Sequence, residues 1–158
     1  MLSSIYIMKY NEVMSSSELQ DSLNWLLLRV AFRAKQGLVK ISEDYDLTVM
    51  QAYTLCLLDP GKETPMSNIA TMLGCDASNV TGIVDRLVTG KYMLRRECAY
   101  DRRIKIVQLT DEGIALRNKI ANRIIDRHLP SMESLTDEEH STLKRLLTKG
   151  LADVLPTK

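Results

Sequence analysis

The sequence predicts a mainly α-helical protein with one small β-hairpin. Three observations predict this class. Apolar residues recur at the three- and four-residue steps of a helix through most of the chain. Helix caps and breakers separate these runs, and two short strand-like runs lie on either side of a basic turn at residues 98–103. The length of 158 residues accommodates one compact domain or two small lobes that share a core.

A long first helix is predicted to begin near Ser17, which can cap it, and to end near Tyr45. Its apolar stripe consists of Leu19, Leu23, Leu26, Val30, Ala34, Leu38 and Ile41. This stripe is long enough to serve as more than one packing surface. Residues 1–16 precede the helix and are expected to form a loosely held N-terminal arm.

Three shorter helices are predicted next, over residues 49–58, 66–73 and 76–88. Their boundaries are marked by capping side chains or by residues that stop a helix. These boundary residues are Thr48, Pro60-Gly61, Thr64-Pro65, Gly74, Asp76 and Gly90. Thr64 is expected to be an N-cap, with Pro65 as the first helical residue. Because only a short turn separates the last two helices, their spacing is typical of a helix-turn-helix.

A β-hairpin, called the wing below, is predicted from two strand-like runs, 92–97 and 104–109. Residues 98–103 form the turn between them. Ile104 and Ile106 alternate with Lys105, which is typical of a half-buried ribbon. The lobe at residues 48–109 is therefore interpreted as a winged helix-turn-helix.

The outer segments, residues 17–47 and 110–158, are predicted to form a helical dimerisation region. Thr110 opens one long helix with acids in its first turn, and Thr136 begins a capping box for the last helix. A single chain of this size offers few partners for the apolar stripes of these helices. We therefore expect the stripes to pack against the same helices of a second copy. The alternative is an intramolecular three-helix bundle.

The helix predicted over residues 76–88 has two chemically different faces. Its apolar face consists of Val80, Ile83, Val84 and Leu87. The opposite face consists of Ser78, Gly82, Asp85 and Thr89, flanked by Asn79, Thr81 and Arg86. These short polar side chains are suited to hydrogen bonding with base edges and phosphates in a DNA major groove.

The charge distribution is uneven, although the net charge of the chain is only +1. Residues 86–105 contain seven bases and two acids, a local net charge of +5. Such a surface steers one face of a protein toward a polyanion. The alternative is an ordinary solvated turn. The combination of this basic wing with a polar helix face favours double-stranded DNA as a partner.

Several other function classes find little support in the residues. The two histidines, His128 and His140, lie in no recognisable catalytic motif or zinc cluster, so neither an enzyme nor a metal or cofactor site is expected. Three scattered cysteines without a CxxC pair fit a reducing cytoplasm. Cys98 follows Arg95 and Arg96 closely enough to be activated as a thiolate, although a passive thiol is favoured. No signal peptide or membrane span is recognised.

The residues resemble the MarR family of winged helix-turn-helix transcription regulators. The resemblance is carried by Met66-Ser-Asn-Ile-Ala-Thr-Met-Leu-Gly, Ser78-Asn-Val-Thr-Gly-Ile-Val-Asp-Arg-Leu, Asp101-Arg-Arg and Val107-Gln-Leu-Thr-Asp-Glu-Gly, in this order. It implies a homodimer on a pseudo-palindromic operator, often repressing a neighbouring gene. It also implies release from DNA by a small aromatic or anionic effector bound between the DNA-binding lobe and the dimer helices.

The resemblance further implies roles for individual residues. The helix at residues 76–88 would be the recognition helix. Its predicted contacts with bases or phosphates are Ser78, Asn79, Thr81 and Arg86. On the wing, Asp101 and Arg103 match the family's Asp-x-Arg, in which the carboxylate braces an arginine that enters the minor groove, and Arg102 between them is a further predicted contact. A narrow minor groove attracts such a pre-oriented cation. The alternative is a surface ion pair of little consequence.

Gly82 lies on the outward face of the predicted recognition helix. Glycine in a helix interior costs about 1 kcal/mol relative to alanine. Close approach of the backbone to DNA would explain this glycine, and drift at an exposed site is the alternative. Two alternative hypotheses for the function of the chain remain. One is a winged helix used for protein contacts, and the other is a small-molecule binding protein without operator specificity.

Overall fold

The computed structural model describes residues 15–126, 132 and 134–152. The chain divides into two compact units, residues 1–35 and 36–158. The helices are α1 (Ser16–Asp21), α2 (Leu23–Glu43), α3 (Val49–Leu57), α4 (Met66–Leu73), α5 (Ala77–Thr89), α6 (Asp111–Asp126) and α7 (Asp137–Gly150). The strands are β1 (Thr64–Pro65), β2 (Met93–Glu97) and β3 (Lys105–Leu109). This mainly helical architecture with a small antiparallel sheet confirms the predicted fold class.

The first helix differs from the prediction in its start and its continuity. Ser15, not Ser17, is the N-cap of α1 and forms a capping box with Glu18. The helix is then interrupted at Ser22, whose backbone is extended. The Ser22 hydroxyl donates to the Leu19 carbonyl oxygen at 2.8 Å and accepts from the Trp25 backbone N–H at 3.3 Å. Because serine offers these local bonds, it ends α1 and starts α2. The arm predicted at residues 1–16 lies outside the described residues up to residue 14.

The predicted caps of the following helices are largely confirmed. Thr48 caps α3 and forms a capping box with Gln51. Gly74 ends α4 in the left-handed conformation, with φ of 60°. The Asp76 carboxylate accepts the Asn79 backbone N–H at 2.9 Å and so caps α5. The capping box predicted at Thr136 is also present at the start of α7.

The segment Thr64-Pro65 has a different role from the one predicted. Thr64 does not cap α4, because Pro65 occupies the N-cap position and makes no side-chain capping bond. The two residues instead form strand β1, in which Thr64 pairs with Val107 of β3. The predicted two-stranded hairpin is thereby extended to a three-stranded sheet in the order β1-β3-β2. Strands β2 and β3 pair from Met93–Leu109 to Glu97–Lys105, each one residue shorter than predicted.

One hydrophobic core in the unit at residues 36–158 joins the lobe helices, the sheet and α6. Its buried members are Ile41, Ala52, Leu55, Leu58, Ile69, Val80, Val84, Leu87, Met93, Val107, Leu109, Leu116 and Ile120. The core contains the three apolar residues of α5 that are most buried, so it fixes the rotation of that helix about its axis. None of the helices described here is long and apolar enough to cross a membrane.

Hydrogen bonds connect the start of α6 to the turn between α5 and β2. The Thr110 hydroxyl donates to the Lys91 carbonyl oxygen at 2.7 Å and accepts from the Gly113 backbone N–H at 2.9 Å. The Thr110 backbone N–H donates to the Tyr92 carbonyl oxygen at 3.2 Å. A methyl group on Gly113 would overlap this same Tyr92 oxygen. Glycine is therefore required for α6 to approach the strand this closely.

The same substitution at two glycines is expected to have opposite effects on stability. Gly113→Ala forces α6 away from Tyr92 and should lower the free energy of unfolding by about 1–3 kcal/mol. Gly82→Ala, at an exposed position with no atom within 4 Å of an added methyl group, should raise it by about 0.5–1 kcal/mol. Urea unfolding followed by circular dichroism measures both changes. Equal stability of Gly113→Ala and the parent would contradict this account of the α6 start.

Candidate nucleic-acid interface

The polar face of α5 is exposed along its whole length. Val80, Val84 and Leu87 on the opposite face are at most 1% exposed. The exposed side chains are the residues predicted to face outward, namely Ser78, Asn79, Thr81, Asp85, Arg86 and Thr89, and Gly82 lies among them. The prediction that this face points away from the core of its unit is therefore confirmed.

The first turn of α5 is organised by the Asp76 carboxylate. The Ser78 hydroxyl donates to its Oδ1 at 2.6 Å, and the Asn79 amide nitrogen donates to its Oδ2 at 3.3 Å. The hydrogen bond from the Ser78 hydroxyl is the main cause of a lowered pKa of Asp76, and the Asn79 backbone N–H adds to it. The hydroxyl hydrogen of Ser78 is therefore already used in a hydrogen bond to Asp76. The Ser78 oxygen and the Asn79 amide oxygen remain suited to accept hydrogen bonds from base amino groups.

Thr81 lies on the side of α5 that faces the wing. Its hydroxyl donates to the Ala77 carbonyl oxygen at 2.9 Å, which leaves the oxygen lone pairs and the methyl group on the surface. An open groove of about 460 Å³ is lined by Met66, Thr81, Arg95, Arg96, Glu97 and Lys105. The structure therefore brings one flank of α5 and the base of the wing to a common surface.

Arg86 lies on a different surface. It lines an open groove of about 660 Å³ together with Glu43, Tyr45, Asp46, Leu47, Thr48, Gln51, Gly90 and Tyr92. The structure thus does not place Arg86 in the wing groove with Thr81. It remains exposed, and no acid in the described part of the chain pairs with it.

Asp101 and Arg103 form the bracing arrangement predicted at the wing. The Arg103 Nε donates to Oδ1 of Asp101 at 3.0 Å and Nη2 donates to Oδ2 at 2.9 Å. The Arg103 backbone N–H also donates to Oδ1, at 3.0 Å. The guanidinium lowers the pKa of Asp101, and the carboxylate raises the pKa of Arg103. The Arg103 side chain is 91% exposed, so the carboxylate holds a cation that projects into solvent.

The tip of the wing carries two further exposed groups. Arg102 is exposed and has no ion-pair partner among the residues that the structure describes. Tyr100 is 99% exposed, beside the braced pair. The sequence analysis did not select Tyr100, although its place directly before Asp101 was an available signal. An amphipathic ring and two guanidiniums at one tip are a combination suited to contacts with a nucleic-acid backbone.

The ion pairs around the wing reduce its net charge. Arg95 donates to Asp85 of α5, Arg96 to Glu63, and Lys105 to Glu97 across the hairpin. Asp85 and Glu63 lie outside the segment that was counted from the sequence, and their inclusion reduces the local charge from +5 to +3. Sequence reasoning missed these partners because they are 10 and 33 residues away from the arginines.

The cysteines and histidines do not converge on a site in the described ranges. The three cysteines are free and half-buried. Burial raises the pKa of Cys56, against an opposing effect of Arg117, which fits its position packed against the hydrophobic core. His140 is exposed on α7, and His128 lies outside the described residues. No group of three or more potential metal ligands occurs within residues 15–126, 132 and 134–152.

Comparisons with known sequences identify relatives over most of the chain. The MarR family model matches residues 47–105. YfiV of Bacillus subtilis (strain 168), an HTH-type transcriptional regulator, is 32% identical over 147 residues, which cover 90% of this chain and 86% of YfiV. YhbI of the same organism is 34% identical over 89 residues, which cover 56% of this chain and 58% of YhbI. The chain therefore spans somewhat more than half the length of YhbI.

A solved structure shows the same architecture. Apo MarR from E. coli is 25% identical, with a TM-score of 0.72, and the match covers 89% of this chain and 99% of that chain. A cysteine-to-serine mutant of that protein has been solved in complex with operator DNA. The exposed polar face of α5, the wing and the relative that matches 90% of the chain agree with this similarity, so the family assignment is clear. The chain belongs to the MarR family of winged helix-turn-helix transcription regulators.

Proposed function

We propose that this protein binds a pseudo-palindromic operator as a homodimer and represses transcription from it. The recognition helix α5 enters the major groove, where Ser78, Asn79 and Thr81 meet base edges or phosphates. Arg86 contacts a phosphate at the edge of the same groove. The wing reaches the adjacent minor groove. E. coli MarR shares this fold, and a mutant of it has been solved in complex with operator DNA, which supports operator binding here.

The braced Arg103 is the observation that carries this proposal. A guanidinium held by two oxygens of Asp101 and 91% exposed is oriented before any partner arrives. It loses little conformational freedom on binding, and a narrow minor groove concentrates the negative potential that attracts it. Arg102 and Tyr100 lie beside it and supply backbone contacts.

The domain organisation of the proposal follows the sequence analysis. Residues 48–109 form the DNA-binding lobe, and residues 17–47 and 110–158 form the dimerisation region. Exposed apolar side chains support this assignment in the segments that precede and follow the lobe in the sequence. On α1 and α2 they are Leu19, Leu23, Leu26, Leu27, Leu28 and Phe32, and at the C-terminal end they are Leu146, Leu147 and Leu151. Burial of these side chains against a second copy removes them from water.

The remaining parts of the proposal concern regulation and location. A small aromatic or anionic effector releases the dimer from DNA, as the family resemblance implies. The protein acts in the cytoplasm, where the operator is and where its three free thiols stay reduced. It catalyses no reaction, since operator binding and release require none.

Replacement of Arg103 tests the wing. Arg103→Ala should weaken binding to a specific duplex roughly 10- to 100-fold, as for other single contacts to DNA. Asp101→Asn keeps the cation but loosens its brace, so its loss of affinity should be smaller. The duplex is taken from genomic fragments captured by the purified protein, and fluorescence anisotropy measures Kd. Lys149→Ala, which removes one positive charge at the end of α7, is the control. Unchanged affinity of Arg103→Ala would remove the wing from the mechanism.

Salt dependence tests the number of phosphate contacts. Within residues 86–105, the cations without an ion-pair partner among the described residues are Arg86, Lys91 and Arg102, so this segment gives a dimer six of them. If each neutralises one phosphate, a plot of log K against log salt concentration has a slope of about −5. Titrations at four or more salt concentrations measure the slope. A flat response would contradict binding to a nucleic-acid backbone.

The oligomeric state of the protein tests the proposal that a homodimer binds a pseudo-palindromic operator. The parent protein should sediment as a dimer at micromolar concentration, because its exposed apolar helix faces are buried by a second copy. Phe32→Glu places a charge on a side chain that is 65% exposed in the single chain, and it should raise the dimer dissociation constant at least about tenfold. Analytical ultracentrifugation measures both species. A parent protein that stays monomeric would contradict a palindromic operator.

A further inference from the structure

The outer half of the wing extends beyond the hydrophobic core. Met93, at the base of β2, is 1% exposed, whereas the other four residues of this strand are exposed. On β3, Val107 and Leu109 belong to the core cluster and Ile106, which pairs with Pro65 of β1, is 6% exposed, whereas Lys105 at the outer end is exposed. A two-stranded ribbon is only marginally stable by itself in water. The outer half of the wing therefore needs support from side chains outside the core.

Arg95 and Arg96 provide this support on opposite sides. Successive side chains of a strand point to opposite faces of the sheet, so these adjacent arginines diverge. The Arg95 Nη1 donates to Oδ1 of Asp85 on α5 at 2.5 Å. Arg96 donates to Glu63, which directly precedes β1. One arginine thus ties the wing to the recognition helix, and the other ties it to the segment on the far side of the sheet.

We propose that Arg95 and Arg96 are positioning residues that hold the wing from both faces. The pairs Arg95–Asp85 and Arg96–Glu63 are called the double brace below. It keeps Arg103 at a fixed distance and angle from the polar face of α5, so that both elements meet DNA together. The inference rests on the proposed operator binding, and it assigns these two arginines to wing geometry instead of phosphate contact.

The position of Asp85 makes the double brace distinguishable from simple charge attraction. Asp85 lies in the middle of the outward face of α5, where a free carboxylate would repel phosphates. Removal of its negative charge raises the net charge of the surface by one and leaves Arg95 without this ion pair. Electrostatic attraction alone then predicts tighter binding and a steeper salt slope. The double brace predicts weaker binding to the specific site, because the wing loses its orientation.

The test uses Asp85→Asn and Glu63→Gln, singly and together, in the full-length protein. Kd is measured for a captured specific duplex and for a duplex of scrambled sequence. We expect each variant to bind the specific duplex about tenfold more weakly and the scrambled duplex equally or more tightly. Asp59→Asn is the charge control, because it frees Lys62 from an exposed ion pair and adds the same charge. Specific binding by Asp85→Asn that equals or exceeds that of the control would overturn the inference.

Exchange of the charges provides a second test. Asp85→Arg combined with Arg95→Asp restores an ion pair with the opposite polarity, and it should recover most of the specific affinity lost by Asp85→Asn. No recovery would count against positioning through this pair. If the parent protein binds no captured duplex, the proposed operator binding fails, whereas a parent that binds and an Asp85→Asn variant that binds equally well overturn only the double brace.

Hydrogen exchange gives a readout that does not involve DNA. The Cys98 backbone N–H donates to the Ile104 carbonyl oxygen at 2.9 Å, and the Ile104 N–H donates to the Asp101 carbonyl oxygen at 3.0 Å. Loss of the double brace should accelerate exchange at these two amides several-fold, while the amides of α6 keep their rates. Unchanged exchange in the variant that lacks both acids would contradict the inference, even where the variant binds DNA poorly.

Discussion

The burial of one face of α5 is the constraint on which the candidate interface depends. Val80, Val84 and Leu87 are at most 1% exposed, and burial of each such side chain contributes about 1.5–3 kcal/mol. Rotation of the helix by a quarter turn would expose part of this apolar face and bury Asp85 or Arg86 without a prepared partner. The direction of the polar face is therefore determined by packing that involves none of the residues proposed to contact DNA. The core can keep its shape while the outward residues change the sequence that is recognised.

The wing depends on a different kind of interaction. No residue of its turn, 98–104, belongs to the hydrophobic core, and the turn is held by an ion pair and by backbone hydrogen bonds. Asp101 orients Arg103, and Asp85 ties Arg95 to α5. Exposed pairs of this kind add little to the free energy of unfolding. Their contribution is geometric, because each carboxylate restricts the directions that a long arginine side chain can take. The lobe thus combines a helix fixed by burial with a hairpin fixed by charge.

Local sequence patterns predicted most of this lobe, and long-range contacts account for what they missed. Caps such as Asp76 and Gly74 act within a few residues, so their chemistry is visible in the sequence, as is the amphipathic period of α5. The strand role of Thr64 was not visible, because its partner Val107 is distant in sequence. The ion pairs of Arg95 and Arg96 were missed for the same reason. The break in the first helix at Ser22 was also missed, although its cause is local. The apolar stripe of the predicted helix continues through this position, where the Ser22 hydroxyl bonds to the backbone on both sides and ends the helix.

The pairing of bases with acids also bears on how such a protein would discriminate between DNA sequences. Non-specific affinity depends on the number of phosphates that a surface neutralises, irrespective of how its cations are arranged. Acids pair with three of the bases around the wing, so this surface attracts arbitrary DNA less than the same surface would with all of its bases unpaired. Specific affinity depends instead on whether α5 and Arg103 reach their grooves together, and the same acids maintain that arrangement. Under the proposed function, a carboxylate such as Asp85 therefore increases the preference for the operator in two ways. It weakens binding to other DNA, and it orients the wing for binding to the operator.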